Sequence, residues 1–443
     1  MKTPIYDFLQ KYADSNIMRL HMPGHKGKMF CDPLATIYPY DITEIKGADS
    51  LFEANGIIKE SEENASKLFN TIQTVYSTQG STLCIQTMLV LAAKPRSTVI
   101  AARNAHKAFL NTCVLLDLDV SWIYPKSADC EETIVSYNYT VEDIEKAILA
   151  AENPSCVYIT SPDYYGRMAD ISAISVLCRK YNMPLLVDNA HGAHLAFLEE
   201  SQHPIALGAD MCCDSAHKML PVLTGGAYLH IGNERFSHNI KDTMSLFSST
   251  SPSYLTMCSL DLCNNYLESE VKNHLSDAIS CLNSVKERLS EVYNFVDSEP
   301  LRMTISTRPN GLTGYELAKI LRIHRIECEY ADDGYVVLLF SPLNSYEEFE
   351  MVYTVLSKIK TSKLKLETKH FELPKPQIVM SIRAASLAEN EEIPVDESLG
   401  RICGKTKVTC PPGIAIVASG EKIDVNCINI LKKYSIFKIN VVK

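Results

Sequence analysis

No hydrophobic run in this sequence approaches 18 residues, so nothing in it has the length of a membrane-spanning helix. The N-terminal stretch MKTPIYDFLQKYADS is amphipathic and lacks the continuous apolar centre of a signal peptide. There is no basic block. The 43 Lys and Arg are outnumbered by 53 Asp and Glu, a formal charge of −10, which argues against nucleic acid or an anionic membrane as partner and is compatible with a small cationic substrate or with solubility alone. No CxxC pair occurs among the fifteen cysteines, and their number is odd. Several sit in apolar runs, such as Cys156 and the Cys212–Cys213 pair, as small buried hydrophobes do in a reducing compartment. Ligands at zinc-finger spacing are missing too, and no metal is expected. Neither GxxxxGK[ST] nor GxGxxG is present, which speaks against ATP and NAD. Repeats and low-complexity tracts are also absent. What remains is a soluble, cytoplasmic globular chain, and 443 residues exceed the usual size of one domain.

The middle of the chain alternates short β-branched runs with helical spacing. The runs are 97–102, 120–125, 155–160, 184–188, 209–214 and 226–231; helical stretches include 141–152 and 171–182. This pattern predicts an α/β fold with a mainly parallel sheet covered by helices. After SSTSPSY (248–254) the texture changes to long helices, then to a smaller α+β unit with strands at 302–306 and 335–341 and helices at 314–324 and 345–360. A charged bridge, 360–376, leads to a terminal appendage. The division expected is an N-terminal arm (1–50), a large domain (51–260), a small α+β domain (261–365) and a C-terminal domain (366–443).

Ligands of open α/β sheets bind beyond the carboxyl ends of the strands. Four of the expected strands run directly into polar clusters there: Arg103-Asn104-Ala105-His106-Lys107, Ser161-Pro162-Asp163-Tyr164-Tyr165-Gly166, Asp188-Asn189-Ala190-His191-Gly192-Ala193-His194, and Asp214-Ser215-Ala216-His217-Lys218. Four in succession imply one crevice. Lys218, after a buried strand, is either a lysine reaching back to solvent or a Schiff-base lysine of lowered pKa. Ser215 and His217 beside it are able to bond a phosphate. Asp188 ends the apolar run PLLV and is either a turn or cap residue or the partner of a pyridinium nitrogen. The HxxH of His191 and His194 has no third ligand, so a metal is disfavoured. Upstream, Gly80-Ser81-Thr82 opens a helix and offers amides and hydroxyls to a phosphate, although such residues also cap helices without a ligand.

Taken together, RLHMPGHKG (19–27), DITEIKGADSLFEANGII (41–58), STQGST (77–82), ARNAHKA (102–108), ITSPDYYG (159–166), LLVDNAHGAHLAF (185–197), GADMCCDSAHKML (208–220), STSPSY (249–254) and CPPGIAIVASGEKI (410–423) resemble the shorter members of the Orn/Lys/Arg decarboxylase family. The resemblance spans almost the whole chain. It implies the aspartate-aminotransferase fold, fold type I of the pyridoxal-phosphate enzymes, and decarboxylation of lysine, ornithine or arginine. It further implies that Lys218 carries the cofactor covalently and that Asp188 pairs with the pyridine nitrogen. His106 is implied to stack on one face of the ring with Ala190 on the other, and His191 to lie near the ring hydroxyl. Ser81, Thr82, Ser215 and His217 are implied to hold the phosphate, with Gly80 allowing close approach. Members assemble as dimers or larger even-numbered oligomers whose sites the neighbouring subunit completes; HMPGHKG and STSPSY are the candidate segments for that contribution.

The chain departs from the family pattern at Gln79 (usually Asn), Asp163 (commonly Thr), Asn189 (usually Glu) and Gly225 (typically Gln). Asp163 is expected to bring an extra negative charge near the cleft. The rival readings are a transaminase, whose substrate carboxylate Arg302 or Arg308 would grip, and a non-catalytic relative. Glu329 and Asp332 are the candidates to receive a cationic substrate tail, with exposed surface charge as the alternative.

Overall fold

The computed structural model describes residues 1–28, 32–124, 135–136, 139–360, 366, 374–408 and 413–443. Most of the bridge expected at 360–376, and the start of CPPGIAIV, lie outside the described residues. The chain forms two compact units, Met1–Ala92 with Leu185–Asn273, and Ala93–Pro184 with His274–Lys443. No described helix is long and apolar enough to cross a membrane.

Seven strands are shared out between the two units: β1 (Gln73–Ser77), β2 (Thr98–Ala102), β3 (Asp119–Ile123), β4 (Pro154–Thr160), β5 (Leu185–Asp188), β6 (Met211–Asp214) and β7 (Ala227–Ile231). In the first unit they pair in the order β1-β7-β6-β5. β5 and β6 are parallel, and β7 is antiparallel to both β6 and β1. In the second unit β2 pairs in parallel with β3 and with β4. Six of these strands fall on the expected runs. Sequence patterning misses β1, because QTVYS is short and runs straight into the polar Thr78-Gln79-Gly80. All four residues of β5 and of β6 are buried, the mark of strands covered on both faces.

Helix termini explain much of the local geometry. Helix α1 (Pro4–Ala13) opens with Pro at N1, and the buried Asp261 carboxylate accepts from the Ile5 and Tyr6 amides at 2.9 and 3.0 Å. A distant side chain thus satisfies two orphan donors and pins the N-terminus. Helix α2 (Ile57–Leu68) follows, and α3 (Gly80–Ala92) starts three residues after β1. In the second unit α4 (Lys107–Leu116) begins at the His106 cap, and α5 (Val141–Ala150) carries a Thr140/Asp143 capping box.

The second unit also holds an antiparallel sheet in the order β10 (Tyr330–Ala331), β11 (Tyr335–Leu339), β9 (Arg302–Ser306), β8 (Asn294–Phe295), with helices Gly314–Ile323 and Tyr346–Lys358. One apolar cluster joins Tyr165, Tyr330 and Val337 to Ile416, Leu431 and Val441 of the C-terminal segment. A buried Arg103–Glu421 ion pair, at 2.5 and 2.8 Å, adds a polar link between the β2 exit and that segment. The described cysteines are free thiols, and nearly all are buried.

Candidate active site

In the first unit three structural ends converge: the N-terminus of α3 and the carboxyl ends of β5 and β6. The parallel register of β5 and β6 runs to Asp188 opposite Cys213, so the two turns that follow leave the sheet side by side. One turn carries Asp188, Asn189, Ala190 and His191, all buried; the other carries Ser215, His217 and an exposed Lys218. Lys218 Nζ lies 3.1 Å from His191 Nε2. Asp188 Oδ1 accepts from the Ala190 amide at 3.2 Å and lies 3.7 Å from Cys213 Sγ. Ser215 Oγ donates to Ser81 Oγ at 2.9 Å, so residues 134 apart in sequence meet at the start of α3.

Gly80 has φ +67°, and its amide donates to the Gly225 carbonyl at 2.7 Å. A side-chain carbon at Gly80 would meet nothing within 4 Å, leaving open space directly over the start of a 13-residue helix. Gly225 is constrained from both sides: its φ is +95°, and an added carbon would stand 2.9 Å from the Thr78 carbonyl. That explains glycine at 225 in this chain. His217 Nδ1 lies 3.0 Å from the Gly226 carbonyl, which can only accept, so Nδ1 carries the proton.

These donors fit pyridoxal phosphate. The first amides of α3, the hydroxyls of Ser81, Thr82 and Ser215 and the open space above Gly80 suit a phosphate. Lys218 supplies an amine in reach of a histidine, and the buried Asp188 carboxylate is the type of group that keeps a pyridine nitrogen protonated.

The second unit places the remaining candidates. His106 is exposed at the N-cap of α4, with Nδ1 accepting from the Ala108 amide at 3.1 Å. Gly413 packs against this ring, since a side-chain carbon there would come within 2.9 Å of His106 Nε2, and the Lys107 amide donates to the Gly413 carbonyl. ARNAHKA and the described part of CPPGIAIV therefore meet. Asp163 does not project a charge as the sequence suggested. It is buried and accepts from the Tyr165 and Arg167 amides at 2.9 and 3.0 Å and from Ser136 Oγ, and burial pushes its pKa up.

Arg302 is fully buried, bonded to Glu299 Oε1 at 3.1 Å and to the Tyr164 carbonyl at 2.8 Å; Arg308 pairs with Asp333. Both are engaged within their own unit, which removes the support for a transaminase. Asp332 is likewise committed, accepting from Tyr165 Oη, Tyr330 Oη and the Gly334 and Tyr335 amides. Glu329 differs. It is exposed, accepts from Tyr164 Oη at 2.6 Å, and lines a cavity of about 750 Å³ with Tyr315, Tyr330 and Tyr434.

A further set of buried polar residues, Asn189, His203, Asp214 and His230, lies behind the two turns and was not singled out as a group from sequence. Their spacing forms no motif: Asn189 and Asp214 stood in two of the polar clusters, but nothing in the sequence singled out His203 or His230.

Residues 3–307 match the family model described as Orn/Lys/Arg decarboxylase, major domain. The arginine decarboxylase of Bacillus subtilis is 29% identical over 449 residues, covering 95% of this chain and 91% of its own. Among solved structures, the Francisella novicida lysine decarboxylase LdcF superposes over 100% of this chain and 81% of its own with a TM-score of 0.84 at 16% identity. The constitutive lysine decarboxylase of Escherichia coli does so over 100% and 82%, with a TM-score of 0.81 at 17% identity. The chain belongs to the Orn/Lys/Arg decarboxylase family, and is a pyridoxal-phosphate-dependent decarboxylase of a basic amino acid with the fold of type I pyridoxal-phosphate enzymes.

Proposed function

We propose that the protein converts arginine to agmatine and CO2, with Lys218 as the residue that holds the cofactor. The observation that carries the site assignment is the approach of Lys218 Nζ to His191 Nε2, at 3.1 Å, beside the Ser81–Ser215 contact. Arginine is favoured among the three basic substrates because the relative from Bacillus subtilis, matched over 91% of its length, is an arginine decarboxylase.

When bound, pyridoxal phosphate supplies a protonated ring that accepts the electron pair left on Cα as CO2 departs. The rest falls to this chain. The buried carboxylate of Asp188 would pair with the ring nitrogen. Ser81, Thr82, Ser215 and the first amides of α3 hold the phosphate. His217 donates to the Gly226 carbonyl through Nδ1, so it contributes to an anion through Nε2 only as an imidazolium. Lys218 would carry the cofactor, and His191, 3.1 Å away, would hold or return a proton at Nζ. Ala190 and His106 are kept as ring-contacting residues on the family resemblance alone. Glu329 is the carboxylate assigned to the guanidinium tail, supported by its exposure and its bond from Tyr164; the cavity it lines is shared by Tyr315 and Tyr330 and also by Lys319 and Arg322.

The division at residues 50, 260 and 365 is kept as a proposal, as is assembly into a homodimer or higher even-numbered oligomer. For the latter, Met18, Leu20 and Met22, running into HMPGHKG, stand 78%, 83% and 69% exposed, a large apolar outlay for a free surface. A cytoplasmic location is supported by the free thiols.

The test is to give the loaded protein arginine, lysine and ornithine separately and to identify CO2 and amine. Agmatine from arginine is the expected product. Cadaverine or putrescine would reassign the substrate, and no CO2 from any of the three would overturn the reading.

A further inference from the structure

Asp214, the last residue of β6, has 0% of its surface exposed, a costly place for a carboxylate without donors. Three N–H groups meet it. Asn189 Nδ2 donates to Oδ1 at 2.6 Å, and His203 Nε2 and His230 Nε2 each approach Oδ2 at 3.1 Å. The donors are themselves buried. His230 Nδ1 lies 2.8 Å from Thr74 Oγ1, the two imidazoles stand at 88° to each other, and the Phe69 ring packs 4.5 Å from His230 and 5.5 Å from His203.

The protonation pattern follows from this geometry. Both Nε2 atoms serve the carboxylate only if they carry hydrogen, and His230 Nδ1 then accepts from the Thr74 hydroxyl. Burial alone would raise the Asp214 pKa, but the two histidines outweigh it and hold the carboxyl below its usual range. Burial lowers the His230 pKa, against the pull of Asp214. His203, Asp214 and His230 are also a possible ligand set for a cation. The hydrogen bonds account for them without one, since each Nε2 is already directed at one carboxylate oxygen and Asn189 occupies the other.

Position gives the network its meaning. The backbone pairing of β5 with β6 ends one step past the strands, at the bond from the Asn189 amide to the Cys213 carbonyl, 3.0 Å. Asn189 and Asp214 are the next pair, and side chains rather than backbone tie them. Beyond this point the chains separate into two turns that meet again at Lys218 and His191. The two turns are therefore linked at the base by Asn189–Asp214 and at the tip by His191–Lys218.

We propose that Asp214 is a positioning residue: its bond to Asn189, backed by His203 and His230, fixes the Ser215–Lys218 turn against the Asp188–His191 turn and thereby sets the Lys218–His191 distance. This rests on Lys218 as the cofactor-bearing residue. Amide and carboxylate are complementary here, so exchanging them preserves the tie. With the exchange, the amide at 214 donates to the carboxylate at 189, while its oxygen still accepts from both imidazoles. Asn189→Asp alone sets two carboxylates face to face, whereas in Asp214→Asn a flipped Asn189 amide still accepts from the new amide.

The experiment compares the wild type with Asn189→Asp, Asp214→Asn and the double exchange. It reads the rate at which apoprotein captures pyridoxal phosphate, by absorbance, together with kcat and KM. Asn189→Asp is expected to slow capture and lower kcat by about tenfold or more, with KM within about twofold. The double exchange is expected to bring both rates back to within about threefold of the wild type. A double exchange no better than the worse single variant, or an Asn189→Asp protein matching the wild type, would overturn the proposal. If Asn189→Asp does not fold, recovery of folding in the double exchange carries the same comparison, and a double exchange that also fails to fold would overturn the proposal. Capture is readable whether or not CO2 is released, so a wrong reaction assignment and a wrong positioning assignment give different results.

Discussion

Lys218 Nζ and His191 Nε2 stand 3.1 Å apart across two turns that leave neighbouring parallel strands. At that distance the two nitrogens share one hydrogen: an ammonium donates to a neutral imidazole, or a protonated Nε2 donates to a free amine. With Lys218 as the proposed cofactor-bearing residue, the pair is arranged to move a proton at Nζ. Replacing His191 with Phe is expected to lower kcat by about 100-fold or more. Gln, which retains a donor, is expected to recover part of the loss. Steady-state kinetics with each variant decide it, and an undiminished kcat in His191→Phe would remove the histidine from the chemistry.

The Ser81–Ser215 contact leads to a prediction about affinity rather than rate. Each hydroxyl faces the start of α3, and a hydrogen bond to a charged group is worth roughly 1.5–3 kcal/mol. Ser81→Ala and Ser215→Ala are each expected to weaken pyridoxal phosphate binding by about tenfold or more. The double variant is expected to lose less than the product of the two, because the hydroxyls bond one another. Titration of the apoprotein measures this, with inorganic phosphate as a competitor that weakens in parallel.

Glu329 and Asp332 lie three residues apart and are expected to behave differently. Glu329→Ala is expected to raise KM for arginine by about tenfold or more while leaving kcat near its original value, the signature of uniform binding lost. Asp332→Ala strips four donors of their acceptor and is expected to lower stability, by a few kcal/mol. Kinetics and urea denaturation on the two variants separate the roles.

The sequence made the two candidate turns legible because each is local: an apolar strand followed at once by Asp188-Asn189-Ala190-His191 or Ser215-Ala216-His217-Lys218. It did not make legible what depends on distant partners. Asp332 and Glu329 look alike in one dimension, yet only the fold brings Tyr165 and Tyr330 onto the first and opens a cavity beside the second. Asp163 looked like a charge for the cleft, and its own turn absorbs it. β1 was missed because its antiparallel partner β7 comes some 150 residues later, and a five-residue strand carries little periodicity of its own. Asn189, His203, Asp214 and His230 form no spacing motif, so only their meeting in space makes them a group.

A pH prediction comes from Asp261, which anchors α1. Burial raises its pKa from 3.8 to about 6, despite hydrogen bonds from Ser61 and from the Ile5 and Tyr6 amides. A carboxyl whose folded pKa exceeds its unfolded value binds its proton more tightly when folded. Its contribution to stability is complete below about pH 4 and is lost as pH rises through about 6, an amplitude of roughly 3 kcal/mol. The stability of wild type relative to Asp261→Asn is therefore expected to decline across that window and level off above it. Urea denaturation at a series of pH values measures the difference, and a flat difference would contradict the assignment.

The most direct test of Lys218 as the cofactor-bearing residue is borohydride reduction of the protein loaded with pyridoxal phosphate, followed by peptide mass mapping. The expected result is one phosphopyridoxyl group, on the peptide containing Lys218, and none after Lys218→Ala. A label on another lysine, or a Lys218→Ala protein that still takes up the group, would contradict it.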